Sequence, residues 1–380
     1  MTYLMVDISG RSPVYNIPLC DALHKVLSPE HHIKLLAPNI NPKDVDFDCG
    51  RLFSIIPHRL QKSKRNVFRA IKALMVIVNY IGLILRVALR KPDILHLQWL
   101  PLVEICTIER YFLKTLRFIA PKTKFLLTIH NVYPHDCSEK FKLIYKDRFS
   151  RIESYFDKFI VHLETTKTEF YSSFGISAER VKVIHHGVLA PKVHHPVYNQ
   201  RGKVLRLIMY GNQSTYKGTD IFVNALTLLP QEYKKKVHAL IVGKTYSDYL
   251  NKLKEQKENA NIEFIPEYVS DEDLHKYIAN SDIIVLPYRE ISQSGVLLLA
   301  LSTKRLIITS DIPSFKETLV GMSEDTFFEN GNAASLSKLI IKYADGLVDE
   351  KEQLNIIENL EAKYSWTNIA ETYKIFINDL

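Results

Sequence analysis

Between Asp282 and Thr309 an apolar run, Ile283 to Tyr288, gives way to Ser292-Gln293-Ser294-Gly295 and then to the helix-forming residues Val296 to Leu301. Small residues between a strand and a helix leave backbone N–H groups without partners, at the positive end of the helix dipole. An anion suits that point, and a glycine without a Cβ lets a phosphate approach the chain. The segment reads as the seat of a nucleotide diphosphate, although an ordinary strand-to-helix turn has the same composition. A second loop bears on the choice. After the run Leu205 to Tyr210 come Gly211 and Asn212, then Lys217-Gly218 ahead of a helix through Leu228. A helix N-terminus repels a cation, so a lysine there argues for a bound anion that it neutralises, with Gly218 permitting a tight turn. The alternative is a solvated lysine.

In the first half, the run Phe125 to Ile129 ends in His130-Asn131-Val132-Tyr133-Pro134-His135-Asp136. A histidine at the carboxyl end of a parallel strand is placed to meet a ligand rather than to pack, which makes His130 the chief candidate here. His96, His162 and the pair His185 and His186 read as structural. His194 and His195 lack any cysteine or carboxylate spacing of a metal site. Asp44, Asp46 and Asp48 alternate and could share one strand face as cation ligands. An exposed loop or sheet edge suits them better, and no metal is expected.

These residues need a frame that holds them at strand ends. Short β-rich runs alternate with longer helical stretches, the mark of parallel sheets built from β-α units. They are Tyr3 to Ile8, Ile33 to Ala37, Asp93 to Gln98, Phe125 to Ile129, Phe159 to His162 and Val181 to Ile184. The pattern restarts with Leu205 to Tyr210, Ala239 to Val242, Ile262 to Ile265, Ile283 to Leu286 and Leu306 to Thr309. Two α/β domains follow: 1–190, a linker 191–203 with Pro191 and Pro196, and 204–363. The segment 364–380 is a closing helix with Trp366, Ile369, Tyr373 and Phe376 on one face. Ligands of such sheets bind beyond the carboxyl ends of the strands, so the loops at Gly211 and Gly295 are expected to face one crevice.

A chain of 380 residues is too long for one ordinary core and suits two domains. Cys20, Cys49, Cys106 and Cys137 form no close pair, which points to a reducing compartment. The first nine residues carry an acid and no basic region, so they read as a buried strand and not a signal peptide; a cytoplasmic protein is expected. The net charge of +8 calls for an anionic partner or none. Lys62, Lys64, Arg65, Arg69 and Lys72, then Arg86, Arg90 and Lys91, flank an apolar stretch from Ala73 to Leu85 that Asn79 interrupts. That stretch is short of the roughly 20 residues that span a bilayer. Basic residues at both ends suit an interfacial position on an anionic inner leaflet, and Tyr111 to Phe118 repeats the mixture. A core helix capped by solvated lysines is the alternative. No nucleic-acid motif accompanies the charge, so nucleic acid is not expected as a partner.

In their order and spacing these segments resemble the retaining nucleotide-sugar glycosyltransferases of family 4, which have the GT-B architecture: α/β, two Rossmann-like domains facing a central cleft. VKVIHHGV (181–188) is similar to the family's sheet-to-linker segment, and TIHNVYPHD (128–136) to its histidine loop. Gly211 with Lys217-Gly218 resembles the first donor loop, IIVLPY with SQSGVLLLAL (283–301) the second, and KYSWTNIAETY (363–373) the closing helix that returns to the first domain. The resemblance implies that Lys217 meets the donor diphosphate and that the amides of Ser294, Gly295 and Val296 hold it. Gly211, Asn212, Gly218, Ser292 and Gln293 complete the donor loops. It places His130 near the donor sugar and the loop with Ser9, Gly10 and Ser12 beside the acceptor. Two departures stand out: Ser292 and Ala300 occupy the positions of the family's paired glutamates, and Asn212 that of a frequent arginine. A subgroup holding its donor by other groups, a different donor and weakened activity are all compatible with them.

The implied function is transfer of a sugar from a nucleotide-diphosphate sugar, a substrate and not a cofactor, to a glycan or lipid-linked oligosaccharide for a surface polysaccharide. A metal ion is not needed, because Lys217 and helix amides stabilise the departing phosphate. A nucleotide-sugar epimerase and a non-catalytic nucleotide-sugar-binding subunit are the competing readings.

Overall fold

The computed structural model describes residues 1–38, 40–54, 66–134, 137–189 and 202–380, with only the backbone of 66–69. The apolar runs pair side by side as two all-parallel sheets. In the first, β1 (Thr2–Val6), β2 (His32–Ala37), β3 (Asp48–Arg51), β4 (Ile94–Leu97), β5 (Lys124–Thr128), β6 (Lys158–Val161) and β7 (Val181–Val183) lie in the order β3-β2-β1-β4-β5-β6-β7. In the second, β8 (Leu205–Tyr210), β9 (Val237–Val242), β10 (Ile262–Ile265), β11 (Ile283–Leu286), β12 (Leu306–Ser310) and β13 (Phe327–Phe328) lie in the order β10-β9-β8-β11-β12-β13. Both follow the doubly wound order in which the chain reverses direction beside the first strand, and that switch point is where such sheets bind ligands. β3 and β13 are additions to the expected strands.

The chain divides into two units. One comprises Met1–Gly187 with Ser365–Leu380, the other Val188–Tyr364. The expected linker 191–203 falls mostly outside the described residues, as do His194 and His195.

Alternation along the strands sorts each sheet into two cores. In the first unit Leu4, Val6, Leu95, Leu97 and Phe125 face one way, against Val76, Tyr80, Leu83 and Val87 of α2 (Asn66–Leu89) and Leu113 and Leu116 of the helix Glu109–Ile119. Tyr3, Met5, Leu35 and Ile94 face the other way, against Leu19 and Leu23 of the helix Pro13–Leu27 and against Ile369, Tyr373 and Phe376 of Trp366–Asn378. The closing helix, capped by Ser365 accepting from Asn368 N–H, is thus a structural layer of the first unit. Its Tyr373 hydroxyl bonds the Tyr15 hydroxyl at 2.8 Å. In the second unit Leu205, Leu207 and Met209 pack on the helices Thr219–Thr227 and Ala333–Ala344, and Ile208, Tyr210 and Leu286 on Gly295–Leu301 and Glu350–Lys363.

Tyr373→Ala is expected to lower the stability of the first unit by about 3–5 kcal/mol, the range for emptying a buried aromatic site. Denaturant unfolding monitored by tryptophan emission checks this; both tryptophans, Trp99 and Trp366, lie in that unit. An unshifted midpoint would deny the helix its place in that core.

Candidate active site

The loop after β8 and the loop after β11 emerge from adjacent strands, paired at Leu207↔Ile283 and Ile208↔Ile284, on either side of the switch point. Each is tied to the other. Gly218, with φ +68°, could carry no side chain, because a Cβ there would lie 1.8 Å from the Pro287 carbonyl oxygen. Arg289 N–H donates to Tyr216 O at 2.7 Å, and its guanidinium grips Asp220 in a two-pronged ion pair at 2.9 and 2.6 Å. Burial pulls the Asp220 carboxyl up, but Arg289 holds it below its ordinary value. Tyr210 O–H donates to Val296 O at 3.1 Å.

Gly211, Lys217 and Val296 meet at one point: a methyl on Gly211, whose φ is +102°, would stand 2.9 Å from Lys217 Nζ and 3.5 Å from Val296 Cγ2. Lys217 is 7% exposed, so the solvated alternative is overturned. Among the described residues no carboxylate or other acceptor meets its ammonium, whose neighbour is the Tyr288 ring at 5.4 Å. Burial alone lowers it to about 8. Each loop also holds a buried polar atom without a partner, Ser214 Oγ in the first and Gln293 Oε1 in the second. Ser294 caps the helix Gly295–Leu301, its Oγ accepting from Leu297 N–H at 3.2 Å. Helix geometry leaves the amides of Gly295 and Val296 without an intrahelical acceptor. A buried cation beside unpaired donors is a place that an anion completes.

Asn212 is exposed and Ser292 half-buried. Ala300 is fully buried in the apolar core with Ile307 and Leu360, so its position offers a ligand no polar group, and Glu290 is exposed on the surface. Gln213 was missed by sequence reasoning: buried, it donates to Gly211 O at 2.7 Å and accepts from Thr219 O–H at 2.7 Å, fixing the first loop. Its only signal was a polar residue inside a loop flanked by two glycines.

In the first unit the loop after β1 is organised by Asp7. This buried carboxylate accepts from the amides of Gly10 at 2.8 Å, Arg11 at 3.2 Å and Ser12 at 2.9 Å, and from Asn16 Nδ2 at 3.0 Å. Burial pushes its carboxyl up in spite of these donors. Ser12 Oγ accepts from Trp99 Nε1 at 2.7 Å, and the Trp99 ring stacks on His130 with centroids 4.8 Å apart. The Arg11 guanidinium lies 5.3 Å from the Trp99 centroid and pairs with Glu104 at 2.5 Å. Arg11, Trp99, Glu104, His130, Asn131 and Tyr145 line a cavity of about 200 Å³. Ser12 and His130 are therefore brought together through Trp99, a residue that sequence reasoning passed over. Ser9 lies against Asp7 at 3.4 Å. His135 and Asp136 lie outside the described residues. Asp44 falls in a 3-10 turn and Asp48 in β3, paired with Lys34 at 3.0 Å, so the three aspartates do not share a strand face. Among the described residues no three His, Cys, Asp or Glu side chains group as metal ligands.

The apolar stretch of α2 is longer than expected: Ala70–Leu89 is 20 residues of mean hydropathy 1.9, enough by length and composition to span a bilayer. About one third of it is buried against the rest of the protein. Asn79, which interrupts the stretch, is buried, donating to Ile8 O at 3.3 Å and accepting from Phe53 N–H at 2.8 Å. The opposite face exposes Leu74, Val78, Ile81, Leu85 and Leu89, spaced along one stripe, and the neighbouring helix exposes Tyr111 and Phe118. Arg86, Arg90 and Lys91 border the stripe at its C-terminal end. Lys62, Lys64 and Arg65 lie outside the described residues.

Residues 205–345 match the family profile for glycosyl transferases group 1 and residues 17–189 that for glycosyltransferase family 4. A search of curated protein sequences finds no match. Among solved structures the chain is similar to HepE of Anabaena in complex with UDP and glucose, at 15% identity, 100% of both chains covered and a TM-score of 0.67. It is also similar to the sucrose-phosphate synthase of Thermosynechococcus elongatus, at 16% identity, with 100% of this chain and 98% of that one covered and a TM-score of 0.68. The lipopolysaccharide outer core galactosyltransferase WaaB matches at 15% identity over 100% of both chains, with a TM-score of 0.65. With two parallel α/β sheets of this order and family profiles matching in both halves, the chain belongs to the group 1, family 4 glycosyltransferases of GT-B fold.

Proposed function

We propose that this chain is a retaining, metal-independent hexosyltransferase that moves a sugar from a nucleotide-diphosphate sugar to a glycan or lipid-linked oligosaccharide, in the synthesis of a surface polysaccharide. The observation that carries the reading is Lys217, a buried ammonium with no counter-charge among the described residues, set against Gly211 and Val296. The UDP and glucose of the HepE complex and the lipopolysaccharide substrate in the name of WaaB support the donor and acceptor classes.

Breaking the sugar–phosphate bond builds negative charge on the diphosphate and positive charge on the ring. In this reading Lys217 and the amides of Ser294, Gly295 and Val296 meet the first of these, being already oriented and poorly hydrated. Gly211 and Gly218 let the phosphates approach, while Asn212, Ser292 and Gln293 border them. The acceptor hydroxyl attacks from the face that the leaving group vacates, which retains the anomeric configuration, and a phosphate oxygen takes its proton. Ser9, Gly10 and Ser12 border the acceptor. His130 borders the donor sugar. The exposed stripe of α2, with Arg86, Arg90 and Lys91, rests on the anionic inner leaflet, so the enzyme is cytoplasmic and peripheral to the membrane.

Ser292 and Ala300 in the places of the family's glutamates favour a second reading, a subunit that binds a nucleotide sugar without transferring it. A thermal-shift screen of common nucleotide sugars identifies the donor, because a ligand of the folded state raises its stability. Transfer assays with that donor then separate the two readings. Binding with neither transfer nor hydrolysis would leave only the second.

Lys217→Ala is expected to lower kcat/KM by about 30- to 1,000-fold, or about 2–4 kcal/mol of transition-state stabilisation. Equal rates in the two proteins would remove Lys217 from the mechanism. Charge on Lys217 costs stability in the empty protein, since its folded pKa of about 8 lies below the ordinary 10.5. That cost is full below pH 8 and disappears as pH rises toward 10.5. Lys217→Met should therefore stabilise the ligand-free protein at pH 7 by roughly 1–3 kcal/mol while abolishing nucleoside diphosphate binding. In the parent protein that affinity should fall between pH 7 and 9. A pH-independent affinity, by titration calorimetry, would contradict the assignment.

A further inference from the structure

Four histidines of the first unit stand behind the carboxyl ends of β4 to β7: His96, His130, His162 and His186. The ring of His130 lies 5.3 Å from that of His162 and 5.1 Å from that of Tyr15, and His162 lies 5.4 Å from His186. Burial lowers all four, His96 and His186 to about 3 and His162 to about 4. Each therefore has one N–H to give and one lone pair to offer.

The hydrogen-bond count can be followed from one fixed end. His162 Nδ1 lies 3.0 Å from Ile184 O. A carbonyl only accepts, so that nitrogen carries the proton and Nε2 of His162 is left as an acceptor. His162 Nε2 faces His130 Nδ1 at 3.4 Å. Two lone pairs at that distance repel, so His130 Nδ1 must be the donor. The remaining nitrogen, His130 Nε2, is then an acceptor, and the Gln98 carboxamide stands 3.2 Å from it. Gln98 can satisfy it only by presenting its NH₂ group, the reverse of the orientation with Oε1 toward His130. The two ends of a carboxamide have the same shape, and its hydrogen bonds decide which faces where. Its far end does not oppose the reversal. It lies 3.2 and 3.4 Å from the two nitrogens of His96, which are already engaged by Thr128 Oγ1 at 2.7 Å and Tyr3 O–H at 2.5 Å.

We infer that His162 is a positioning residue: through the chain Ile184 O, His162, His130 and Gln98 it fixes His130 as the neutral Nδ1–H tautomer with both ring nitrogens committed. His130, stacked on Trp99, is then a rigid neutral ring and cannot act as the base that deprotonates an acceptor hydroxyl. A neutral ring also places no positive charge beside a sugar that is itself becoming positive. This last consequence rests on the sugar-transfer reading, whereas the tautomer does not.

The test is the ¹⁵N spectrum of histidine side chains in the full-length protein at pH 7, with His130 identified by the signals lost in His130→Asn. The expected result is a protonated-type Nδ1 and an unprotonated-type Nε2 at His130. A protonated Nε2, or two protonated nitrogens, would overturn the inference whatever the enzyme transfers. His162→Gln keeps an acceptor and should preserve the pattern, while His162→Leu should release His130 into a mixture of tautomers. An unchanged His130 spectrum in His162→Leu would also overturn it. If the leucine variant does not fold, Gln98→Met serves: with no donor left at Nε2, Nδ1 should still give its proton to His162 and Nε2 should stay unprotonated. A protonated Nε2 at His130 in that variant would count against the relay.

Discussion

A single ammonium held out of water organises the second unit. Removing a lysine from solvent without a partner is unfavourable, and the depressed pKa of Lys217 registers that penalty. The surrounding loops do nothing to relieve it. They are spent instead on keeping the charge where it is: Gln213 pins Gly211, Arg289 and Asp220 bind the second loop to the first, and Gly218 lets the turn slip under the Pro287 carbonyl. A site preorganised in this way is unstable when empty and complete when filled, the condition under which binding energy can be directed to a leaving group.

The first unit uses buried polar groups differently. There the carboxylate of Asp7 and the imidazoles of the histidine group are internally satisfied, and none awaits a counter-charge. Their role is rigidity: the loop after β1 wraps one carboxylate, and Trp99 is fixed between Arg11 and His130. One unit thus offers unpaired charge and the other a fixed polar wall.

How far the residues alone disclose this follows from what each signal is made of. The sheets were readable because strands buried on both faces are continuous apolar runs. β3, with the sequence Asp48-Cys49-Gly50-Arg51, and the two-residue β13 are edge strands without such a run. The donor loops were readable because glycines and a misplaced lysine mark backbone and charge locally. Gln213 and Thr219, Arg289 and Asp220, and Arg11 and Glu104 were not, since each is a pair of ordinary residues whose meaning arises only when folding makes them neighbours. Arg86 makes the apolar stretch of α2 look as if it ends at Leu85, although the helix runs to Leu89. Asn79, which reads as an interruption, is an anchor bonded to Ile8 and Phe53.

The closing helix makes the first unit discontinuous: its core takes Ile369, Tyr373 and Phe376 from beyond the whole of the second unit. On the ribosome the stretch Val188–Tyr364 is contiguous and can complete its own core as soon as it emerges. The earlier-made portion must wait, with the apolar side of Leu19 and Leu23 uncovered, until Ser365–Leu380 has been made and has left the ribosome. Vectorial synthesis therefore finishes the later-made body first, and a nascent chain stopped at Tyr364 would display an open apolar seam to the chaperones that meet it.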